Sequence, residues 1–463
     1  MNLFLLFLFA CDNSYEAIEK HPEVVNKYDS SKPTTVDLIN PTYGVIDETF
    51  ILEGNFPGDI ADMKVYFGTK KAVLIATDGK SITGLVPKQP NGYNQVSLVI
   101  GTDSMAPTDL KFKYHQSRSM KTICGKLGTE AWMADANYAG TALDGVTLGE
   151  CHYVETVAGT KADNIVLVET GWGNRLFMLS IDDSKITKLS TPTQICKPAV
   201  PSTRDRFYAT NFNSGNRPIY LYTKENSWTY VNTGITLSST DFPDSKVDAM
   251  TFAEDDNLLY ALGTDGRIAE INISDKSYKI YTTAAKKPSG INANNFGGLI
   301  TGTVLPSNFG SWEDAYICYS KYHKCFFVTY TNEHAVYKYE KNADNTWTCT
   351  LWAGKNGSGV TVGNRLADAQ FYCPHGIVAN PEGDLFVVSK GANYWTTGGY
   401  CRVHKISKDA VEIVAGSSNS TLTNGADPLE AVFKYARGIA IDIDGNFYIA
   451  GGNDFTVRKL SIE

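Results

Sequence analysis

The chain has 463 residues, with 42 Lys and Arg against 50 Asp and Glu, a net charge of −8 at neutral pH. With no basic stripe to set against that balance, a nucleic-acid surface is excluded, because phosphate binding needs clustered Lys and Arg. Tyr (26), Phe (21) and Gly (40) are abundant and only 20% of residues are charged, which suits many short strands joined by tight turns. No apolar run reaches the ~20 residues that a membrane-spanning helix needs.

The chain opens on Asn2 to Ala10 (NLFLLFLFA), an apolar run that ends at Cys11. Leu8-Phe9-Ala10-Cys11 resembles the lipobox of bacterial lipoproteins, in which the Cys becomes the lipidated first residue. The resemblance implies a signal peptide over residues 1–11, lipidation at Cys11, and anchorage in the outer membrane. Asp12 and Glu16 resemble the surface-export signal of Bacteroidetes lipoproteins, which implies that the anchored protein faces the cell exterior. Residues 12–32 read as a polar tether.

Residues 33–114 form a unit of their own. Ile39-Asn40-Pro41-Thr42-Tyr43-Gly44 leads to Phe50-Ile51-Leu52-Glu53-Gly54-Asn55-Phe56, then Val65-Tyr66-Phe67-Gly68, Ile82-Thr83-Gly84-Leu85-Val86-Pro87 and Val96-Ser97-Leu98-Val99-Ile100. Short alternating strands between Gly and Pro turns predict a small β-sandwich. These motifs resemble the IPT/TIG family of immunoglobulin-like domains, which implies a spacer or platform.

Residues 115–463 carry a repeat, clearest near the C-terminus. Ala353-Gly354, Phe371, Gly376-Ile377-Val378-Ala379 and Leu385-Phe386-Val387-Val388 recur as Ala415-Gly416, Phe433, Gly438-Ile439-Ala440-Ile441 and Phe447-Tyr448-Ile449-Ala450. Repetition at this scale in turn-rich, alternating sequence predicts a β-propeller. The two units resemble NHL repeats, and looser copies appear at 164–179, 206–222, 257–271 and 325–339. The expected fold is therefore all-β, an immunoglobulin-like sandwich followed by a six-bladed NHL-like propeller. Met120 to Cys124 matches the outer strand of the repeat, and pairing of 120–124 with 456–460 would close the ring and remove exposed sheet edges.

Registering the blades places one side chain per blade just ahead of the innermost strand: Glu155, Lys197, Asp248, Tyr316, His375 and Arg437. Such a ring at the channel mouth is either a set of ligand contacts or a solvated lining whose charges neutralise each other. Trp132 and Trp312 fall in long loops that enter blades, and Trp172 and Tyr394-Trp395 in Gly-rich loops between second and third strands. Aromatics there suit stacking on the apolar faces of sugar rings, or pin their loops to the propeller. Together with His375 and Arg437 they are the expected glycan contacts. Trp228, Trp347 and Trp352 fall near outer strands and read as structural.

Enzyme motifs are mostly missing: there is no G-x-S-x-G, H-E-x-x-H or P-loop. Asp442, Asp444 and Glu254-Asp255-Asp256 fall at turns where Asp is expected, and the cysteines form no CxxC pair, so neither metal nor cofactor is expected. The catalytic alternative is the trio Tyr316, His375 and Arg437, of the kind propeller polysaccharide lyases use for proton abstraction and carboxylate stabilisation. The whole arrangement resembles the accessory lipoproteins of SusC/SusD-type uptake systems in Bacteroidetes. That resemblance implies a non-catalytic role, with a polysaccharide or oligosaccharide as ligand and a SusC/SusD-type transporter as partner. A protein- or peptide-binding scaffold is the third reading.

Overall fold

In the computed structural model the described residues are 26–130, 138–169, 175–213, 215–242, 246–284, 291–307, 315–354, 357–390, 401–418, 421, 423 and 427–463. They are all-β and fall into two compact units, one ending at Ser117 and the other spanning Arg118–Ile462.

The first unit is built from two sheets. One orders Thr35–Asn40, Thr49–Asn55, Ser81–Leu85 and Val73–Thr77, and the other Tyr43–Gly44, Lys111–Tyr114, Gly92–Ile100, Met63–Phe67 and Lys70–Lys71. Alternation in each strand sends one set of side chains inward. Phe50, Leu52 and Ile82 of the first sheet meet Val65, Phe67, Leu98 and Phe112 of the second in one core. Phe67 packs edge-on to both Phe50 and Phe112, each at 5.1 Å, and so ties the sheets together. Burying each such ring contributes about 1.5–3 kcal/mol.

The second unit is a series of antiparallel sheets. Cys151–Val157 begins one that continues through Asn164–Glu169, Arg175–Ser180 and Lys185–Leu189. Residues 195–199 bridge to Arg206–Thr210, which leads to Arg217–Thr223 and Val231–Leu237. Val247–Phe252 and Ala315–Ser320 each start a four-stranded group, and Phe296–Thr301 lies parallel to both outer strands and joins the groups. Pro374–Ala379 and Ala436–Ile441 start the remaining sheets. In the last of these Val457–Ile462 pairs with Arg118–Cys124, with Met120 opposite Leu460.

The starting strands stand side by side. Val247–Phe252 neighbours Ala315–Ser320, which neighbours Pro374–Ala379, then Ala436–Ile441, then Cys151–Val157. Each is covered on both faces, so its side chains are buried along nearly the whole strand instead of alternating between core and solvent. The Gly-Ile step of the repeat follows from their closeness. A Cβ on Gly376 would lie 2.5 Å from the Arg437 carbonyl oxygen, and one on Gly438 would lie 3.0 Å from the His152 carbonyl oxygen.

One buried histidine in this unit makes stability depend on pH. His404, in Arg402–Ile406, lies edge-on to Phe371 at 5.2 Å and bonds Ser389 Oγ through Nδ1 at 3.1 Å. Burial, helped by Arg402, pushes its imidazole down to about 3 from 6.5. Above pH 6.5 both folded and unfolded chains hold it neutral, and full stability is present. Below 6.5 only the unfolded chain takes the proton, and stability falls by about 1.4 kcal/mol per pH unit until pH 3. His404→Leu should therefore make the loss in unfolding free energy between about pH 7.5 and 5 smaller by about 2 kcal/mol. Denaturant titrations of both proteins at the two pH values measure it, and equal losses would contradict the assignment.

Candidate functional site

The side chains at the entry ends of the starting strands converge on one buried cluster. In four of these strands the ladder slips near the second residue: between Cys151 and Tyr153, Val247 and Ala249, Pro374 and Ile377, and Ala436 and Gly438. A bulge there unpairs a residue and re-aims its side chain. The residues so placed are His152, Asp248, His375 and Arg437. Ala315–Ser320 pairs without a slip, and Tyr316 is its second residue.

This geometry corrects the register expected for the first of these strands. His152, not Glu155, stands level with Asp248, His375 and Arg437. Glu155 lies three residues further along, where its Oε2 meets Lys197 Nζ at 2.6 Å. The sequence signal for His152 was the position two residues into the strand, shared with the other members; the slip in pairing hid it. Lys197 is buried beside the third sheet, its N–H donating to the Asp248 carbonyl at 2.8 Å, and the Asp248 carboxylate accepts the Ala315 N–H at 2.6 Å.

Burial is the second correction. Tyr316 and His375 are fully enclosed, and Asp248, Lys197 and Arg437 nearly so, instead of lining an open mouth. Tyr316 reaches across to the Cys151–Val157 strand, where its hydroxyl donates to the His152 carbonyl at 3.4 Å and its ring lies 5.7 Å from that of Tyr153. The His375 ring stacks on Tyr316 at 6.0 Å. The middle of the unit is filled by side chains at this level.

The cluster is rich in cations. Arg437 Nη1 lies 3.2 Å from His152 Nδ1, and because a guanidinium only donates, that nitrogen accepts. The proton of a neutral His152 then sits on Nε2, 3.7 Å from Glu150 Oε2. The His152 ring beside it, with the charge of Arg437 behind, holds Glu150 below the usual carboxylate range. Arg437 also donates to the Tyr435 hydroxyl through Nη2. Arg437 Cζ and Lys390 Nζ each lie 4.4 Å from the Tyr435 ring centre. Burial, then Lys390, Arg437 and His152, push the His375 imidazole well below its ordinary value, so it is neutral at physiological pH.

Strain marks the same place. Cys373 (φ 46°) and Tyr435 (φ 59°), the residues that enter Pro374–Ala379 and Ala436–Ile441, both adopt left-handed backbone that is costly for side chains of their size.

Trp132, Trp172, Trp312, Tyr394 and Trp395 lie outside the described residues. The strand ends that flank them are described, however. The segment with Trp172 leaves Glu169 and returns at Arg175, an ion-paired couple opposite Cys151; that with Tyr394-Trp395 follows Lys390 and ends before Arg402, which pairs with Ser389. The segment with Trp312 leads directly into Ala315 and Tyr316. All three are thus rooted at the end of the sheets where the cluster sits. The other tryptophans pack: Trp347 is fully buried, Trp228 stacks on Phe207 at 5.8 Å, and Trp352 carries Arg365 at 4.1 Å.

At the opposite ends of the starting strands lies a cavity of about 230 Å³, lined by Glu155, Thr156, Arg204, Phe252, Tyr319 and Ile441 among others. Arg204 is held there by Asp163 (2.6 Å) and Thr156 Oγ1 (2.7 Å). Asp442 accepts from Asn446 N at 2.7 Å and from the Tyr448 hydroxyl at 3.1 Å, which places its carboxylate in the turn. Among the described residues no group of His, Cys, Asp and Glu is arranged to hold a metal ion.

No protein-family model matches the chain, and no curated protein does. Solved structures do share its fold. A structural-genomics protein of unknown function from Bacteroides thetaiotaomicron VPI-5482 is similar with a TM-score of 0.74 and 23% identity, over 94% of this chain and 100% of that one. An auxiliary nutrient binding protein from the same organism gives 0.55 and 18%, over 95% and 100%. One from Bacteroides ovatus ATCC 8483 gives 0.55 and 16%, over 94% and 99%.

Proposed function

We propose that the chain is a non-catalytic glycan-binding lipoprotein of the cell surface, anchored through Cys11, which captures a polysaccharide for a SusC/SusD-type outer-membrane transporter. In this reading the first unit is an IPT/TIG-like immunoglobulin domain. The second is a six-bladed propeller clasped by its first and last strands. Its glycan face is made by the segments with Trp132, Trp172, Trp312 and Tyr394-Trp395 above His375 and Arg437.

The observation that carries the proposal is the common rooting of three aromatic segments around one cluster of Arg437, Lys390, His152 and Tyr435. Aromatic rings offer apolar faces to sugars, and the buried cluster fixes the described strand ends on which the segments are rooted. Similarity over nearly the full length to two auxiliary nutrient binding proteins supports a ligand-capturing role. Complete burial of Tyr316 and His375 favours binding over catalysis, since a general base must reach the proton it removes.

Trp172→Ala and Trp395→Ala should each weaken polysaccharide binding about tenfold, the effect of losing a central aromatic anchor, with the melting temperature unchanged. Isothermal titration with a polysaccharide that the parent protein binds measures it. Unaltered affinity in both variants would sink the assignment of this face.

A further inference from the structure

The outer face of the second sheet in the first unit has its own chemistry. Pairing sets Tyr43, Lys113 and Tyr93 in one row across three strands, with Lys113 between the rings. Lys111 follows on the same face of its strand, and Lys64, Tyr66 and Lys71 continue the surface over the neighbouring strands. Their neighbours in sequence, Phe112, Tyr114, Val65 and Phe67, point into the core, which fixes the outward direction of this set.

Tyr43 and Tyr93 are 59% and 72% exposed, among the most open large side chains of the unit. Two strand spacings put their backbones about 10 Å apart. Lys113 Nζ lies 5.9 Å from the Tyr93 ring, and His115 stands edge-on to Tyr43 at 5.8 Å. Lys64, Lys71, Lys111 and Lys113 are exposed, and none of them forms an ion pair with another of the described residues. In a chain of net charge −8, a lysine and tyrosine surface with no carboxylate in its rows is a local reversal of sign.

We infer that this face is a docking surface for an anionic polysaccharide, one bearing uronate or sulfate groups. The lysines meet the anionic groups, and the tyrosines, spaced across the strands of one sheet, lie against the sugar rings between them. Charge selects the anionic polymer. The tyrosines, whose polar tips and rigid rings suit sugars, favour a polysaccharide over a bilayer, where a protruding apolar wedge would be needed. The site draws on residues of the first unit alone.

The test uses the full chain and three variants: Lys64→Ala/Lys71→Ala/Lys111→Ala/Lys113→Ala, Tyr43→Ala/Tyr93→Ala, and Trp172→Ala/Trp395→Ala. Affinity is measured for polygalacturonate, a sulfated galactan, a neutral xyloglucan, and vesicles of phosphatidylcholine with phosphatidylglycerol. The expected result is binding to at least one polyanion that weakens with salt, tenfold or more in the lysine variant and at least threefold in the tyrosine variant. The tryptophan variant should keep that binding, which separates this site from the proposed glycan face. The lysine and tyrosine substitutions are on the surface, so the melting temperatures of those two variants should match the parent. No polyanion binding, a lysine effect with no tyrosine effect, loss confined to the tryptophan variant, or binding to vesicles alone would each overturn the inference.

Discussion

Asp454→Ala is expected to destabilise the second unit by about 3–5 kcal/mol, the cost of leaving one member of a buried ion pair alone. Asp454 and Arg458 are both fully buried, with Nη2 donating to Oδ2 at 3.0 Å. Arg458 also donates to the carbonyls of Val432 (2.9 Å) and Thr423 (3.1 Å) and lies over Phe433 at 4.8 Å. Burial pushes the Asp454 carboxyl up to about 6 and lowers the Arg458 guanidinium, so desolvation cancels much of the attraction. The pair itself therefore adds little; an unpaired guanidinium in the same place is what costs. Because Val457–Ile462 pairs with Arg118–Cys124, the damage falls where the two ends of the unit meet. Denaturant unfolding should show the full loss in Asp454→Ala and recovery of most of it in Asp454→Leu/Arg458→Met. A loss below about 1 kcal/mol in the single variant would contradict this account.

Tyr316→Ala should cost a similar amount, about 3–5 kcal/mol, because it empties a large volume where the starting strands meet. The ring packs on Tyr153 and His375, side chains of different strands that have no close substitute for it. Tyr316→Phe keeps the ring and loses only a long hydrogen bond to the His152 carbonyl, at 3.4 Å, for about 0.5–1.5 kcal/mol. The two variants together separate packing from hydrogen bonding. Equal losses in both would mean that the hydroxyl, not the ring, is what matters.

The sequence made some of this legible and hid the rest for physical reasons. The Gly-Ile steps at Gly376 and Gly438 could be read as one repeat because close approach of neighbouring strands forbids a side chain at both. An all-β chain was readable from alternation and turns. The site was read less well, because a ladder slip shifts side-chain direction without leaving a mark in composition. Hence Glu155 stood in for His152, although Asp248, His375 and Arg437 sit at the slips. That Tyr316 crosses to the opposite strand depends on which side chain fills the centre, a property of packing rather than of any single repeat. The platform of Tyr43, Tyr93 and Lys113 comes from three separate stretches of chain, and only strand pairing brings them into one row.

Affinity electrophoresis of the purified protein across plant, microbial and host polysaccharides, with products assayed for new reducing ends, tests the central claim most directly. Retardation by a defined glycan, reduced in Trp172→Ala and Trp395→Ala and accompanied by no new ends, is the predicted result. New reducing ends, an unsaturated uronate absorbance, or no retardation by any polysaccharide would contradict it.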